Sequence, residues 1–348
     1  MIKMNNELIY VNEASRIPLF GIDFLGIIDR GTNIIEIKPL TICNLHCRYC
    51  FVSAGDYETN FLVDPDYLLK KLKQVLKIKA SDDIEIHIAP YGESLLYNQL
   101  YYLLKQLWNI KNVKIISMQS NGLLLTNEII EQLEKVNLTR INISLNTLNR
   151  ELAEYFCDCA FYDMEKLKKN IYQLLISSVD VLLAPVWFPG KNDEDIEDII
   201  KYVRDLRSEG FSENQIQLGI QKYLIYKTGR KLKKVRPKSW GYFYKQLTKL
   251  EKKYQIKLKL GPNDFGIQKR ECFLTLNLEK GDKISAEIIS KGRWNNECIG
   301  KISKNVGIKI LLQKPLIFNP KLIGKRIEVE VIKANYKDNI ITAKFPAF

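Results

Sequence analysis

The chain has 348 residues, 46% of them hydrophobic, which is enough for a large buried core and a small second domain. Lys and Arg outnumber Asp and Glu by 53 to 40, so the net charge is +13. No stretch approaches the length of a membrane span, and the N-terminus lacks the apolar core of a signal peptide. These features predict a cytoplasmic protein that does not enter a membrane, and its seven unevenly spaced cysteines argue against a disulfide framework.

Strand-like and helix-like stretches alternate through the first three quarters of the chain. The strand and helix of each pair are predicted at 33–39 and 64–79, 83–89 and 94–109, 113–119 and 126–137, 140–146 and 163–176, 179–187 and 192–210, and 215–224 and 239–254. Six such pairs predict an α/β fold with a parallel sheet and helices outside, either an open doubly wound sheet or a partial barrel. In both cases functional side chains are expected at the carboxyl ends of the strands.

The pattern changes after about residue 271, where glycine and proline separate short alternating runs. These runs lie at 273–278, 283–290, 297–303, 307–313, 326–334 and 339–345. They predict a small C-terminal β-barrel of five or six strands. The sequence therefore predicts an N-terminal extension at 1–32, a core domain at 33–271 and a β-barrel domain at 272–348.

Three of the seven cysteines, Cys43, Cys47 and Cys50, lie within eight residues directly after the first predicted strand. A structural zinc site usually has four protein ligands, and only His46, inside the triplet, could add a fourth nearby. For His46 itself, packing within the loop is the simpler interpretation. An iron–sulfur cluster usually has four cysteine ligands. Three thiolates on a [4Fe–4S] cluster would leave one iron free for a substrate or cofactor.

The segment CNLHCRYCF at 43–51 resembles the signature of the radical S-adenosylmethionine (SAM) superfamily. Four later segments resemble further landmarks of that superfamily, in the expected order and at the expected strand ends. They are APYGESLL (89–96), SNGLLLT (120–126), ISLN (143–146) and PVWFPGKNDEDI (185–196). The resemblance covers roughly residues 33–255.

This resemblance implies a partial (β/α)6 barrel, similar to a TIM barrel, with the cluster at its open top. Cys43, Cys47 and Cys50 would bind three irons, and the fourth iron would chelate the amino and carboxylate groups of SAM. Reductive cleavage of SAM would give a 5′-deoxyadenosyl radical that abstracts hydrogen from the substrate. The implied SAM contacts are Tyr49, Phe51, Gly92, Glu93, Asn121, Ser144 and Asn146. The family often has Asp in place of Asn146 and Gly in place of Tyr91.

Two residues outside these landmarks are candidates for the substrate side of catalysis. His87 shares strand parity with Glu85, so it lines the cavity if that face points inward; a core histidine is the alternative. Cys157 follows the fourth predicted strand, where a thiol could donate hydrogen or carry a methyl group; packing is the alternative. Together with Cys157, the cysteines Cys159, Cys272 and Cys298 show no spacing typical of a second cluster.

Basic residues concentrate in the run 222–238, here called the basic run, which holds eight Lys and Arg and no acidic residue. Tyr223 and Tyr226 interleave with them, as on an RNA-stacking surface; a solvated loop is the alternative. The C-terminal segment has 14 Lys and Arg against 7 Asp and Glu and resembles the TRAM domain, a small OB-like RNA-binding barrel. The predicted RNA contacts are Lys222, Lys227, Arg230, Lys231, Lys233, Lys234, Arg236, Arg293, Trp294 and Lys301.

The sequence therefore predicts a radical SAM enzyme that modifies an RNA base, with tRNA as the expected substrate. Two alternatives remain open. One is an enzyme that acts on a peptide, a protein or a small metabolite and uses the barrel for docking, and the other is a non-catalytic iron–sulfur RNA-binding protein. An external donor such as ferredoxin or flavodoxin is expected to supply the electron. The sequence defines neither the group added nor the oligomeric state.

Overall fold

The computed structural model describes residues 7–79, 81–274, 276–335 and 338–345. Parts of three predicted segments lie outside the described residues. These parts are residues 1–6 of the N-terminal extension, Thr275 of the predicted strand 273–278, and residues 336–337 and 346–348 of the C-terminal domain.

Four strands come first in the described chain, strands and helices are then interspersed as far as residue 254, and strands predominate after it. The strands are β1 (Glu7–Val11), β2 (Gly26–Asp29), β3 (Ile34–Lys38), β4 (Thr59–Val63), β5 (Ile84–Ile88), β6 (Val113–Ser120), β7 (Arg140–Ile143), β8 (Asp180–Leu183), β9 (Val186–Trp187), β10 (Ile216–Leu218), β11 (Gln221–Lys222), β12 (Lys283–Lys291), β13 (Glu297–Lys301), β14 (Gly307–Leu312), β15 (Arg326–Asn335) and β16 (Ile340–Phe345). The α-helices are α1 (Pro65–Lys79), α2 (Leu100–Trp108), α3 (Asn127–Lys135), α4 (Arg150–Cys157), α5 (Met164–Ile176), α6 (Asp193–Ser208) and α7 (Trp240–Tyr254). Short 3-10 helices span Ser94–Leu96, Pro262–Phe265 and Pro320–Leu322.

The main sheet has the strand order β10-β8-β7-β6-β5-β3-β2. Neighbouring strands pair in parallel in β3–β5, β6–β7, β7–β8 and β8–β10, while β2 pairs antiparallel with β3 at the edge. Sequential parallel strands joined by right-handed crossovers place their helices on one face, whereas a doubly wound sheet reverses its order at a switch point. The predicted α/β fold with a partial (β/α)6 barrel is therefore confirmed, and the doubly wound alternative is wrong.

Helix α1 shows why the predicted elements form where they do. The Asp64 side chain accepts a hydrogen bond from the Tyr67 N–H at 2.8 Å, and Pro65 occupies the first helical position. An acceptor at the N-cap satisfies a free N–H of the first turn, and proline lacks the N–H that would otherwise stay unpaired there. Leu68 and Leu72 lie on the buried stripe of the helix, as the spacing predicts.

Strands β3 and β5 have one apolar and one polar face. Ile35 and Ile37 on β3, like Ile86 on β5, are fully buried. Their neighbours alternate to the other face, where Glu36 is the register partner of His87. Because the crossover helices cover the apolar face, the polar face is the inside of the partial barrel.

The structure departs from the predicted elements in several places. Helix α4 was not predicted; Asn149 caps its start by accepting from the Leu152 N–H, and Asp158 ends it with φ 51°. The predicted strand 179–187 is interrupted at Pro185, which has no N–H for the sheet. The helix predicted at 94–109 is divided into a 3-10 turn and α2, and strands β1, β2 and β4 were not predicted.

A closed five-stranded barrel forms in the C-terminal region, with the order β12-β13-β14-β16-β15. Strands β14 and β16 are parallel and the other pairs are antiparallel. Ile288, Ile310 and Val331 are fully buried in its core, and a Cβ on Gly300 would lie 2.6 Å from the Cδ1 of Ile310. The predicted small barrel is confirmed with five strands, and the run 273–278 forms no strand within its described residues.

The chain divides into two compact units. One comprises Met1–Ile42, Asp56–Lys114 and Gln268–Phe348, and the other comprises Cys43–Gly55 and Ile115–Ile267. The division into 1–32, 33–271 and 272–348 remains a sequence prediction. Within the described residues, no helix combines the length and the apolar character needed to cross a bilayer.

A fully buried ion pair links α1 to the segment that leads into the small barrel. The Lys79 Nζ donates to both carboxylate oxygens of Asp29, at 3.0 and 3.2 Å, and to the carbonyl of Glu271 at 3.0 Å. The same carboxylate accepts from the backbone N–H of Gly31 and of Phe273. Neither side chain of the pair is exposed to solvent.

We expect Lys79→Ala to lower the free energy of unfolding by about 3–5 kcal/mol, because it leaves the Asp29 carboxylate buried without its counter-charge. Urea denaturation followed by circular dichroism measures this loss. Lys77→Ala is the matched control, since Lys77 is exposed in the same last turn of α1. Equal stability of the two variants would contradict the assigned role of the pair.

Candidate active site around the three-cysteine loop

The three cysteines lie on a loop at 43–55 that forms neither helix nor strand. Cys43, Cys47 and Cys50 are half-buried. The Cys50 N–H donates to the Cys47 carbonyl at 3.1 Å, and the Ser53 N–H donates to the Cys50 carbonyl at 3.2 Å. The loop thus curls in tight turns, and Gly55 leaves it with φ 92°, a conformation that favours glycine.

Arg230 of the basic run binds this loop at three carbonyls. Its Nε donates to the Cys47 carbonyl and its Nη2 to the Ala54 carbonyl, both at 2.7 Å. Its backbone N–H donates to the Cys50 carbonyl at 2.8 Å. Arg230 was predicted to contact RNA; the structure shows its side chain bound to the loop, and the RNA contact stays a prediction.

Two neighbours of Arg230 complete this attachment. The Ser53 hydroxyl donates to the Thr228 carbonyl at 2.8 Å. A Cβ on Gly229 would lie 2.5 Å from the Phe51 carbonyl oxygen, so only glycine permits this approach. The Phe51 side chain is 53% exposed, and its ring centroid lies 5.8 Å from that of Tyr226.

Tyr49 points into an aromatic cluster of the same unit. Its ring centroid lies 5.0 Å from that of Phe188 and 6.1 Å from that of Phe156. Its hydroxyl accepts a hydrogen bond from the Asn146 Nδ2 at 2.6 Å, and burial raises its pKa. Asn146, which follows β7, also accepts a hydrogen bond from the N–H of Val186, the first residue of β9, at 2.7 Å. It therefore links both strands to the loop.

Cys157, the last residue of α4, lies directly beside Cys47. A hydrogen bond with the Cys157 thiol raises the pKa of Cys47, and burial acts in the same direction. The Arg48 N–H donates to the Phe156 carbonyl at 2.8 Å, which fixes the end of α4 against the loop. Cys157 is 6% exposed, and its proposed part in hydrogen donation or methyl transfer stays a prediction.

His46 and Arg48 both reach Asp158 at the end of α4. The Arg48 Nη2 donates at 2.5 Å, and the His46 Nδ1 lies 3.3 Å from the other carboxylate oxygen. Desolvation opposes the charge of this carboxylate, but the hydrogen bond and the charge of Arg48, with the hydrogen bond of His46, lower the pKa of Asp158. His46 is thus an exposed side chain that contacts Asp158, and its packing role stays a prediction.

The other predicted SAM contacts in this unit lie at strand ends. The Asn121 Nδ2 donates to the Asn44 Oδ1 of the loop at 2.8 Å. The Ser144 hydroxyl accepts from the Gln119 Nε2 at 2.9 Å. Both side chains thus stand at carboxyl ends of parallel strands, where the fold class places a site.

Gly92 and Glu93 belong to the other unit and follow β5. A Cβ on Gly92 would lie 2.1 Å from the carbonyl oxygen of Ile42, the residue that precedes Cys43. The Glu93 N–H donates to that same carbonyl at 2.8 Å. The Glu93 carboxylate is 2% exposed and accepts from the Leu95 N–H at 3.0 Å. Backbone contact therefore requires glycine at position 92.

His87 lies in a charged row on the polar face of β3 and β5. Burial opposes the charge of the Glu36 carboxylate, but the positive charges of Lys38 and Arg30 outweigh this effect and lower the pKa of Glu36. The Lys38 Nζ donates to the Ala89 carbonyl at 2.6 Å. His87 is thus part of a polar barrel interior, and its role toward substrate stays a prediction.

Three thiols on one short loop are the donor chemistry of an iron–sulfur cluster. Within the described residues, no three His, Cys, Asp or Glu side chains gather around a point that one metal ion could occupy. A cubane cluster binds each thiolate through a different iron, so its ligands lie farther apart than those of one ion. Burial raises the pKa of Cys50, while the Val52 and Ala54 amides and the Arg230 charge oppose this effect.

Three predicted RNA contacts of the small barrel are engaged within their own unit. Arg293 is 2% exposed and its fork binds Glu297 at 3.0 and 3.1 Å, so it does not present itself to RNA and that prediction is corrected. Trp294 is half-buried, with its ring 5.3 Å from that of Tyr57. The Lys301 Nζ lies 3.6 Å from the Glu287 Oε2.

Sequence reasoning missed two groups of residues in the unit of the loop. Asn192, 1% exposed, donates to the carbonyls of Asn146 and Val186 at 2.9 and 3.0 Å. Asn192 lies in the segment 185–196, but the sequence of that segment does not indicate its hydrogen-bond partners. Trp240 and Tyr244 at the start of α7 are exposed aromatics next to the basic run, and that adjacency was a usable signal.

Comparisons with known proteins agree with this geometry. The model of the Radical SAM superfamily matches residues 37–203. An uncharacterized protein of Methanocaldococcus jannaschii is 33% identical over 97% of this chain and 80% of its own length. A GTP 3′,8-cyclase of Alkaliphilus metalliredigens is 29% identical over 51% of this chain, and the match spans 54% of the cyclase. The crystal structure of HydG, a maturase of the [FeFe]-hydrogenase, superimposes with a TM-score of 0.51 at 13% identity, covering 72% of this chain and 51% of HydG.

The chain belongs to the radical SAM superfamily. Membership implies a [4Fe–4S] cluster and SAM, and the matched residues 37–203 include Cys43, Cys47 and Cys50, whose role as ligands stays a prediction. The HydG likeness shows the fold alone, and the chain spans about half the length of the cyclase that it matches.

We expect Cys43→Ala, Cys47→Ala and Cys50→Ala each to abolish the visible charge-transfer absorption of the reconstituted protein, because each removes one of three protein bonds to the cluster. Iron and sulfide analysis with absorption spectroscopy measures the loss. Cys159→Ala is the control, since Cys159 is also a half-buried free thiol near α4. Similar iron content in Cys47→Ala and Cys159→Ala would contradict the ligand assignment.

Proposed function

We propose that the protein is a radical SAM enzyme that modifies a base in RNA, with tRNA as the substrate. One observation carries the proposal: an exposed row of cations and aromatic rings that adjoins the three-cysteine loop within one unit. The exposed cations of the basic run are Lys227, Lys231, Lys233, Lys234, Arg236 and Lys238. None of these six forms a salt bridge in the part of the chain that the structure describes.

Aromatic side chains continue this row onto α7. Trp240 is 52% exposed and stacks on Tyr244 with ring centroids 5.8 Å apart and planes 24° from parallel. The Lys222 Nζ lies 5.0 Å from the Trp240 ring centroid, and Lys238 lies 5.7 Å from that of Tyr242. Aromatic faces bind unstacked bases while cations bind the backbone phosphates, which is how proteins bind single-stranded RNA.

Two buried anchors hold the cationic row in place. Leu232 and Val235 are buried with Tyr223 in the aromatic cluster around Phe156 and Phe188. The Tyr223 hydroxyl accepts from the Leu232 N–H at 3.1 Å. Leu232 and Val235 therefore face inward while the lysines beside them face solvent, which favours a binding surface over a mobile loop.

The small barrel gives further support. A closed five-stranded barrel is the architecture of OB-like modules, many of which bind oligonucleotides. Since Arg293 is buried, the predicted RNA contacts that remain in this barrel are Trp294 and Lys301, both half-buried. We keep the TRAM-like assignment as part of the proposal.

The proposed roles of the site residues follow the superfamily pattern. With cluster and SAM bound, the available chemistry is one-electron cleavage of the sulfonium, which generates a 5′-deoxyadenosyl radical for hydrogen abstraction. Glu93 would bind the SAM amino group, and the loop residues Tyr49 and Phe51 would border its adenine. Ser144 and Asn121 would orient the remaining polar groups. An external ferredoxin or flavodoxin would supply the electron.

A free nucleotide is the second candidate substrate. The relatives named GTP 3′,8-cyclase favour it, since one of them matches 51% of this chain. The shared part covers 54% of that relative, so the likeness does not extend to its whole length. A small-molecule substrate would leave the cationic and aromatic row without a function.

Mass spectrometry of total nucleosides tests the RNA proposal. A deletion strain complemented with the wild-type gene should contain a modified tRNA nucleoside that is missing when the complementing gene encodes Cys47→Ala. Fractionation of tRNA from ribosomal RNA assigns the class of substrate. Identical nucleoside profiles in the two strains would reject RNA and favour the small-molecule candidate.

We expect replacement of Lys231, Lys233, Lys234 and Arg236 by Gln to weaken tRNA binding and to reduce the slope of log K against log salt by about 0.7 for each phosphate that the variant no longer neutralises. Trp240→Ala should cost about 1–3 kcal/mol with an unchanged slope, because stacking releases no counterions. Fluorescence anisotropy over a range of salt concentrations measures both effects.

The matched control removes four exposed lysines elsewhere, Lys73, Lys77, Lys105 and Lys111, none of which lies in a described salt bridge. It changes the net charge by the same amount as the fourfold variant. If the two variants bind tRNA equally, the basic run is not the binding surface.

A further inference from the structure

Arg230 occupies a place that neither SAM binding nor RNA binding explains. Its three hydrogen bonds, to the carbonyls of Cys47, Cys50 and Ala54, are 2.7 to 2.8 Å long. The loop at 43–55 has no helix or sheet ladder to satisfy its carbonyls. Buried carbonyls need partners, and a side chain that supplies them also fixes the path of the loop.

The geometry suits arginine in particular. A guanidinium offers donors in a rigid planar fork, so one side chain binds two carbonyls that are seven residues apart in sequence. These carbonyls bracket Cys50, and the backbone N–H of Arg230 binds the Cys50 carbonyl itself. Gly229 permits the approach, because any Cβ there would collide with the Phe51 carbonyl. Three hydrogen bonds from Arg230 thus fix the segment from Cys47 to Ala54.

The charge of Arg230 adds a second effect. A guanidinium stays protonated in proteins, so it places a permanent positive charge against the backbone of a cluster ligand. The reduction potential of an iron–sulfur cluster depends on nearby charge and on hydrogen bonds around its sulfurs. Reduction adds one negative charge, and a fixed cation stabilises the reduced state relative to the oxidised state.

We propose that Arg230 is a positioning residue for the cluster, which holds the ligand loop through its fork and makes the cluster easier to reduce through its charge. The electron concerned comes from an external one-electron donor, ferredoxin or flavodoxin in the cell and dithionite in the assay. The proposal rests on the assignment of Cys43, Cys47 and Cys50 as ligands. It does not rest on RNA as the substrate, so it can succeed where the RNA proposal fails.

The test compares Arg230→Gln and Arg230→Lys with Arg204→Gln and Arg204→Lys. Arg204 lies on α6 in the same unit, is exposed and forms no salt bridge among the described residues, so it is a matched arginine control. Each protein is reconstituted with iron and sulfide, without SAM and without RNA. Iron retained under chelator challenge reports on the loop, and the midpoint potential, followed by electron paramagnetic resonance, reports on the charge.

Arg230→Gln should retain iron about tenfold less well than Arg204→Gln, as expected for loss of an outer partner of a metal site. Its loaded fraction should show a midpoint that is more negative by about 59 mV, which is a tenfold change in a one-electron equilibrium. Arg230→Lys keeps the charge without the fork. It should therefore lose iron faster than Arg204→Lys while its loaded fraction keeps the wild-type midpoint.

Two results would overturn the proposal. One is equal iron retention in the Arg230 and Arg204 variants, which would show that the fork does not hold the loop. The other is an unchanged midpoint in Arg230→Gln, which would remove the charge effect. If Arg230→Gln does not fold, Arg230→Lys decides, since iron retention equal to that of Arg204→Lys rejects the positioning role.

Discussion

The site depends on how the backbone of the three-cysteine loop is satisfied. The loop that carries Cys43, Cys47 and Cys50 forms neither helix nor strand, so no regular hydrogen-bond ladder satisfies its backbone groups. The Cys47 and Cys50 carbonyls each accept one N–H from within the loop, and Arg230 adds a second donor to both and also binds the Ala54 carbonyl. The end of α4 supplies a further contact, through the Phe156 carbonyl.

This dependence joins two features that the sequence presents as separate. The basic run both fixes the loop through Arg230 and presents exposed lysines to solvent, followed by the exposed ring of Trp240. A polyanionic substrate bound to these lysines would lie on the same chain segment that holds the cluster ligands. The exposed cations and the three-cysteine loop thus belong to one local structure, and our proposal of RNA rather than a small metabolite rests on this organisation.

Much of the fold could be predicted because it follows local pattern. Period-two alternation indicated β3, β5 and β6, and the Asp64–Pro65 pair marked the start of α1, since both signals act within a few residues. Long-range contacts left no such signal. Arg230 binds a residue far away in sequence, and Arg293 is buried only once the chain has folded. The sequence shows neither fact, so both arginines were predicted to contact RNA.

Formation of 5′-deoxyadenosine by the reduced, reconstituted protein tests the central claim most directly. The account predicts that SAM is cleaved, that cleavage rises when unmodified tRNA is added, and that Cys47→Ala shows neither effect. Cleavage that does not respond to tRNA but does respond to a free nucleotide would contradict the RNA assignment. If protein with a fully loaded cluster formed no 5′-deoxyadenosine, the proposal that it is a radical SAM enzyme would be contradicted.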